Sequence, residues 1–206
     1  MEVKETINLE NSSSSGVGLG IVLSGKASVG KDVIANILVK EYGFKKYSFA
    51  DSIKELCSKK YGYPLEWNYS REGKQRVVSE TGGKTVRELL INEGIKIRQR
   101  DPLALVKNVV TKLMNDRPPF YVITDCRFRN EAEVFSYFNG VLVRINADRE
   151  SRLKWGCDLK IVDSKDPTET DLDGYEGFNL EYDIVYGVNN YDLVENIMEE
   201  IYGKGI

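Results

Sequence analysis

LGIVLSGKASVGKD, residues 19–32, decides the fold. Its first half, LGIVLS, is a short apolar run closed by a serine, the pattern of a strand buried on both faces of a sheet. Its second half, Gly25-Lys26-Ala27-Ser28-Val29-Gly30-Lys31-Asp32, fits G-x-x-x-x-G-K, with Asp32 where Ser or Thr is usual. Ile34, Ile37 and Leu38 then recur at helical spacing through Tyr42, and Gly43 closes the segment. Each part has a chemical purpose. Glycines let backbone N–H groups turn inward around phosphate oxygens. The helix aims its positive end at the same anion. Lys31 adds a mobile point charge for β- and γ-phosphates. Residues 25–32 are therefore the candidate ATP-binding set. A glycine-rich turn with an incidental lysine is the alternative, and both flanks speak against it. A carboxylate at position 32 takes Mg²⁺ directly or through water, which makes Asp32 a candidate metal ligand. It argues against a GTPase or motor ATPase, which use the hydroxyl.

Outward from this stretch, strands and helices alternate. Residues 47–50 read as a second strand, and 52–61 as a helix with Ile53, Leu56 and Cys57 inward. Residues 62–83 read as a polar loop with at most short helical turns. Thr85-x-x-Glu88 is a capping box that starts a helix before Leu89 and Leu90. A further helix runs from about 103 to 115, stopped by Pro118-Pro119. FYVITD (120–125) is a strand, Asn130-x-x-Glu133 caps a helix through Phe138, and VLVRI (141–145) is the next strand. DIVY (183–186) and a helix over 191–202 close the chain. The pattern predicts an α/β protein: a three-layer sandwich with a parallel five-stranded sheet and helices on both faces. Residues 1–16, with their NSSSSG tract, read as a flexible arm. Residues 17–206 read as one domain, with an acceptor-binding helical part at about 51–116 and a lid-like insertion at about 147–179. Ligands of such sheets sit at the carboxyl ends of strands, which points to residues 24–31, Asp51, 125–129 and the segment after Ile145. Gly16-Val17-Gly18-Leu19-Gly20 precedes its strand, so it is no dinucleotide fingerprint, and Asp171-Leu172-Asp173-Gly174 reads as a turn.

Composition narrows the chemistry. The 206 residues are 41% hydrophobic and 30% charged, with a net charge of −3, which does not suit a general nucleic-acid binder. Cys57, Cys126 and Cys157 form no C-x-x-C pair and suit a reducing compartment. Cys126 reads as a small buried strand-end residue. There is no histidine, which excludes Ser-His-Asp and Cys-His catalysis and His-ligated metals. No apolar run is long enough to span a bilayer, and the charged first residues lack a signal-peptide core. The expectation is a cytoplasmic protein with neither membrane nor nucleic acid as partner.

Several residues are candidates for an acceptor and for the transfer itself. Arg87 and Arg98 stand eleven residues apart, almost three helical turns, with Gly94 between them. They either clamp an acceptor phosphate or form a solvated basic face. Asp125 ends the FYVITD strand, where a carboxylate steers Mg²⁺, and Arg127 and Arg129 follow at once. Asp51 either caps the helix at 52 or orients the acceptor's sugar or base. The insertion carries Arg149, Arg152 and Lys154. A cation there, with Arg152 as the candidate, stabilises the transferring phosphoryl group as arginine fingers do. Trp155 is placed to stack on a base. For each of these the alternative is a solvated charge run.

GKASVGKD (25–32), SFADSIKEL (48–56), GGKTVRELL (82–90) with a following G-x-x-x-R, and VITDCRFRNEAE (122–133) together resemble the phage-type deoxynucleoside monophosphate kinases. The resemblance covers about residues 19–145 and continues weakly to the end, and D-x-R-F-x-N-E is its most specific block. It implies a nucleoside-monophosphate-kinase-like fold, transfer of phosphate from ATP to a deoxynucleoside monophosphate with Mg²⁺, a homodimer and a host cytoplasm. It assigns Lys31 and its loop to ATP, with Asp51, Arg87, Arg98 and Arg127 near the acceptor. Thr168-Glu169 corresponds to the family's acidic segment before the last strand, which places Glu169 on the substrate side. The missing histidines fit: a nucleotide phosphate, with a second pKa of about 6, needs positioning and charge neutralisation rather than a base. Two other readings stay open. One is another P-loop small-molecule kinase, acting on dephospho-coenzyme A or phosphomevalonate, with Asp51 available as a base. The other is a nucleotide-binding protein without transfer activity.

Overall fold

The computed structural model describes residues 16–204, so the expected arm lies outside the described residues except for Gly16. The chain divides into two compact units, one made of the described residues up to Tyr47 and from Thr111 onward, the other of Ser48–Val110. In chain order the elements are β1 (Leu19–Ser24), α1 (Lys31–Tyr42), β2 (Lys45–Tyr47), α2 (Asp51–Tyr61), α3 (Arg71–Gln75), β3 (Val77–Val78), β4 (Lys84–Thr85), α4 (Val86–Arg100) and α5 (Ala104–Asp116). They continue with β5 (Phe120–Cys126), α6 (Arg129–Ser136), β6 (Gly140–Ala147), α7 (Arg149–Lys154), α8 (Leu159–Val162), α9 (Pro167–Thr170), β7 (Leu180–Ile184) and α10 (Asn190–Lys204).

The first unit holds the five-stranded sheet, in the order β2-β5-β1-β6-β7, and every pairing is parallel. This is the α/β sandwich that the alternating pattern implies. Residues alternate across the pleat. Ile21 and Leu23 of β1, with Val122 and Val143, pack against Ile34 and Leu38 of α1 and Val194, Ile197 and Ile201 of α10. Each such buried side chain contributes about 1.5–3 kcal/mol. On the other parity, Gly20 leaves room for Tyr121, since a Cβ there would stand 2.0 Å from the ring. Tyr121 packs on Phe135 of α6 and donates its hydroxyl to the Phe138 carbonyl at 2.8 Å. The central position of β1 matters for the site. Ser24 is level with Cys126 of β5 and Arg144 of β6, so the loop after Ser24 leaves the sheet beside Arg127 and Ile145.

Several boundaries differ from the expectation. The second strand is 45–47 rather than 47–50. Lys45 and Lys46 are exposed at a sheet edge, and their charge hides the strand, whereas the apolar Phe49 is buried in the turn that enters α2. The last strand is 180–184 rather than 183–186, because Leu180 and Ile184 are its buried positions while Val185 and Tyr186 are exposed. α6 starts one residue before Asn130. Its first turn is served by Glu131, not Glu133: Oε2 of Glu131 accepts the amides of Arg127 (2.9 Å) and Phe128 (3.2 Å).

In the second unit the Thr85–Glu88 capping box is present, with Glu88 N–H donating to Thr85 Oγ1 and Glu88 Oε2 accepting the Thr85 amide. Ile53 and Cys57 are buried as expected, but Leu56 is exposed. Residues 62–83 contain, besides short helical turns, one strand of a two-stranded antiparallel ribbon, β3 with β4, that the polar sequence does not announce. Glu93 is buried and collects the Tyr61 hydroxyl and the ammonium groups of Lys96 and Lys60 at 2.8–3.0 Å. The Lys96 hydrogen bond is the largest cause holding its carboxyl down at about 2.

Candidate active site

The phosphate loop is shaped by its backbone. Gly25 has φ 132°, and a Cβ there would lie 2.2 Å from the Ile145 carbonyl of β6, so only glycine fits. Gly30 (φ 84°) is the left-handed residue from which α1 starts, and Ser28 also holds a positive φ of 67°. Val29 is buried in the core and anchors the loop from below. Lys31 folds back over the loop: Nζ donates to the carbonyls of Gly25 (2.6 Å) and Lys26 (2.8 Å). Burial, then repulsion from Arg127, lowers its pKa to about 7, against the opposing pull of Glu169, Asp32 and Asp125. A buried ammonium held by two carbonyls is weakly solvated, and an anion relieves that cost.

β5 delivers the second group of residues. Asp125 is half-buried at its carboxyl end, near enough to Lys31 to favour its charged form. Cys126 is buried, and burial pushes its thiol well up, which makes it inert. Arg127 has its amide fixed by Glu131, and its Nη1 donates to the Thr168 carbonyl (2.6 Å) and to Glu169 Oε1 (2.7 Å).

The insertion after β6 forms the third group. It contains three short helices, α7 to α9, and residues 166–173 lie as a strap across the strand ends. Glu169 Oε2 accepts the Ala27 amide of the phosphate loop at 2.8 Å. Asp171 accepts the Arg129 amide at 2.9 Å, and Asp173 pairs with Lys26 (3.1 Å) and Arg144 (2.9 Å). Arg152 is 3% exposed, and all three of its nitrogens are engaged: Nε with the Ala27 carbonyl (3.0 Å), Nη1 with that of Val162 (3.3 Å) and Nη2 with Glu169 (3.4 Å). Trp155 packs on Tyr186, ring centroids 6.1 Å apart. A cavity of about 250 Å³ opens beside the loop, lined by Lys26, Ile145, Asn146, Ala147, Arg149, Arg152 and Val162.

Metal chemistry can be judged from the donors. Asp32 is exposed and pairs with Lys46 at 2.9 Å. Among the described residues no three acidic, Cys or His side chains cluster as a metal cage. Two carboxylates beside a phosphate loop fit Mg²⁺ arriving with phosphate, since that ion takes most of its ligands from water and phosphate oxygens.

Asp51 is the first residue of α2; Ala50 is the N-cap and makes no side-chain cap, so the capping role is corrected. The Asp51 carboxylate pairs with Lys54 at 2.8 Å. Arg87 and Arg98 lie on α4, and the space left by Gly94 is taken by Arg98 itself: a Cβ at 94 would stand 3.2 Å from Arg98 Nη1.

The structure thus brings Lys31, Arg127, Arg152 and Glu169 together around the loop. Sequence reading missed Glu131, Asp171, Asp173 and Arg144. The signal was an alternation: Glu169, Asp171 and Asp173 face cations at Arg127, Arg129 and Arg144, so the segment read as a turn is a turn that also serves as a latch.

No family model matches the chain. A protein of Acanthamoeba polyphaga mimivirus described as "Putative deoxynucleotide monophosphate kinase" is 30% identical over 189 residues, 84% of this chain and 89% of the relative. Shikimate kinase from Acinetobacter baumannii, solved with shikimate, aligns over 94% of this chain and 98% of its own, with a TM-score of 0.52 at 16% identity, and shares its fold. Shikimate kinase from Aquifex aeolicus covers 91% of this chain and 98% of its own, with a TM-score of 0.48 and 17% identity. Among the described residues no helix is long and apolar enough to cross a membrane.

Proposed function

The chain belongs to the deoxynucleotide monophosphate kinase family and is a phosphotransferase, and we propose that it moves the terminal phosphoryl group of ATP onto a deoxynucleoside monophosphate. One observation carries the reading: a glycine-shaped loop with a buried lysine folded onto its own carbonyls, and an arginine from the neighbouring strand beside it. Residues 25–32 bind the ATP phosphates, and Lys31 exchanges two carbonyls for phosphate oxygens. Mg²⁺ neutralises phosphate charge when bound, and Asp125 and Asp32 are the residues that would hold it, Asp32 on leaving Lys46 or through water. Arg127 receives the acceptor phosphate and the charge in transit. Arg152 contributes a fixed, desolvated positive charge beside Ala27. Trp155 offers a face for a base. Asp51, Arg87 and Arg98 are acceptor residues on the ground of the family motif. The acceptor phosphate attacks without a base, because it is already an oxyanion near neutral pH. With terminally labelled ATP, label should appear in a deoxynucleoside diphosphate. Label found in no nucleotide product sinks the reading.

The lowered pKa of Lys31 has a measurable consequence. Below about pH 7 the amine already carries its proton, and above it the free protein holds the amine increasingly neutral. ATP needs the charged form, so binding at pH 8 should draw up to about one proton, and ATP affinity should fall as pH rises from 7 to 9. Calorimetry at pH 8 in buffers of different ionisation enthalpy reads this uptake directly. The same titration of Lys31→Ala should show none of it.

A further inference from the structure

Glu169 stands where three parts of the site meet. Its Oε2 accepts the Ala27 amide at 2.8 Å and faces Arg152 Nη2 at 3.4 Å, while Oε1 holds Arg127 Nη1 at 2.7 Å. The side chain is 4% exposed, so the carboxylate has little access to solvent and both oxygens are occupied. Its backbone is fixed as well. Asp166 caps α9 through the Thr168 amide at 2.9 Å, Pro167 starts the helix, and Asp171 and Asp173 tie the strap to Arg129, Lys26 and Arg144.

The two arginines differ. Arg152 is clamped through all three nitrogens. Among the described residues Arg127 bonds to side chains and carbonyls through Nη1, which leaves Nε and Nη2 for a ligand, and its side chain is 26% exposed. Two guanidiniums against one carboxylate leave a net positive charge for phosphate. We propose that Glu169 is a positioning residue: fixed by Ala27 and Arg152, it holds the Arg127 guanidinium beside the phosphate loop, where the transferring phosphoryl group passes. It acts through Arg127 rather than by touching the acceptor. An arginine side chain has wide rotamer freedom, and removing that freedom before reaction is how positioning accelerates transfer. The proposal rests on the kinase reading above.

Glu169→Gln and Glu169→Asp test it, with ADP release measured with the best acceptor and with water as the only acceptor. In Glu169→Gln both rates should fall about ten- to a hundredfold. The KM for ATP should stay within about threefold, because Lys31 keeps its two carbonyl partners and the glutamine oxygen can still accept the Ala27 amide. Glu169→Asp keeps the charge one methylene short, and should keep the thermal midpoint while giving an intermediate rate. A glutamine variant turning over at the wild-type rate overturns the proposal. ATP affinity falling in step with kcat also overturns it, since that is a structural role; tighter ATP binding overturns it by making Glu169 a competitor of phosphate. Wild-type protein that uses water or another acceptor but no deoxynucleoside monophosphate defeats the substrate reading alone, and the variants are then compared on the acceptor that works. Wild-type protein that releases no ADP under any condition overturns both.

Discussion

Lys31→Ala should lose about 10²–10³-fold in phosphoryl transfer, the scale for removing one preorganised electrostatic contact at a reacting centre. Its ammonium is the buried cation of the phosphate loop, held at 2.6 and 2.8 Å by carbonyls that phosphate oxygens would replace. The fold should not suffer. Burial lowers the lysine pKa to about 7, so the native state resists that charge, and alanine removes a desolvated ammonium instead of a stabilising contact. The loop shape comes from Gly25, Gly30 and the buried Val29, which the substitution leaves alone. Steady-state kinetics with a thermal unfolding curve on the same preparation checks both halves. Near-normal turnover would refute the role of the loop, and a collapsed midpoint would refute the account of its architecture.

Arg127→Ala should cost about a hundredfold in kcat/KM for the acceptor while ATP binding weakens only a few-fold. The asymmetry follows from where the side chain sits. The backbone of Arg127 is pinned by Glu131 whatever the side chain, so the strand end keeps its course. What disappears is a partly exposed guanidinium that the described residues hold through Nη1, with Nε and Nη2 turned over to a ligand in the reading above. Arg127→Lys should recover little, since a point charge does not reproduce the planar fork that pairs with phosphate and carboxylate together. Separate titrations of ATP and of the acceptor decide the matter. Equal losses for both ligands would argue against an acceptor role.

Much of this architecture was legible in the chain. LGIVLS and FYVITD are apolar enough to be strands in any reading, and the glycines at 25 and 30 need the conformations that they adopt. The edge strands were harder. β2 carries two exposed lysines and β7 alternates Leu180 and Ile184 with acids, so local composition conceals what pairing with β5 and β6 imposes. Around the loop, Lys31 and Arg127 were legible because motif and strand-end position coincide. The strap was not. Glu169, Asp171 and Asp173 lie more than forty residues from Arg127 and Arg129, or over a hundred from the loop, and no local pattern says which carboxylate meets which cation. Arg152 shows the limit from the other side. Its charge suggested either a cation for the transferring phosphoryl group or a solvated charge run, and tertiary packing buries it, which removes the solvated reading.

The central claim is acceptor-dependent transfer to a deoxynucleoside monophosphate, and its most direct test is ADP release. ATP and Mg²⁺ would be offered with a panel of deoxynucleoside and ribonucleoside monophosphates, dephospho-coenzyme A and phosphomevalonate. ADP should rise above the acceptor-free rate only with deoxynucleoside monophosphates. ADP with dephospho-coenzyme A or phosphomevalonate alone, or no acceptor-dependent ADP while ATP still binds, would contradict the claim.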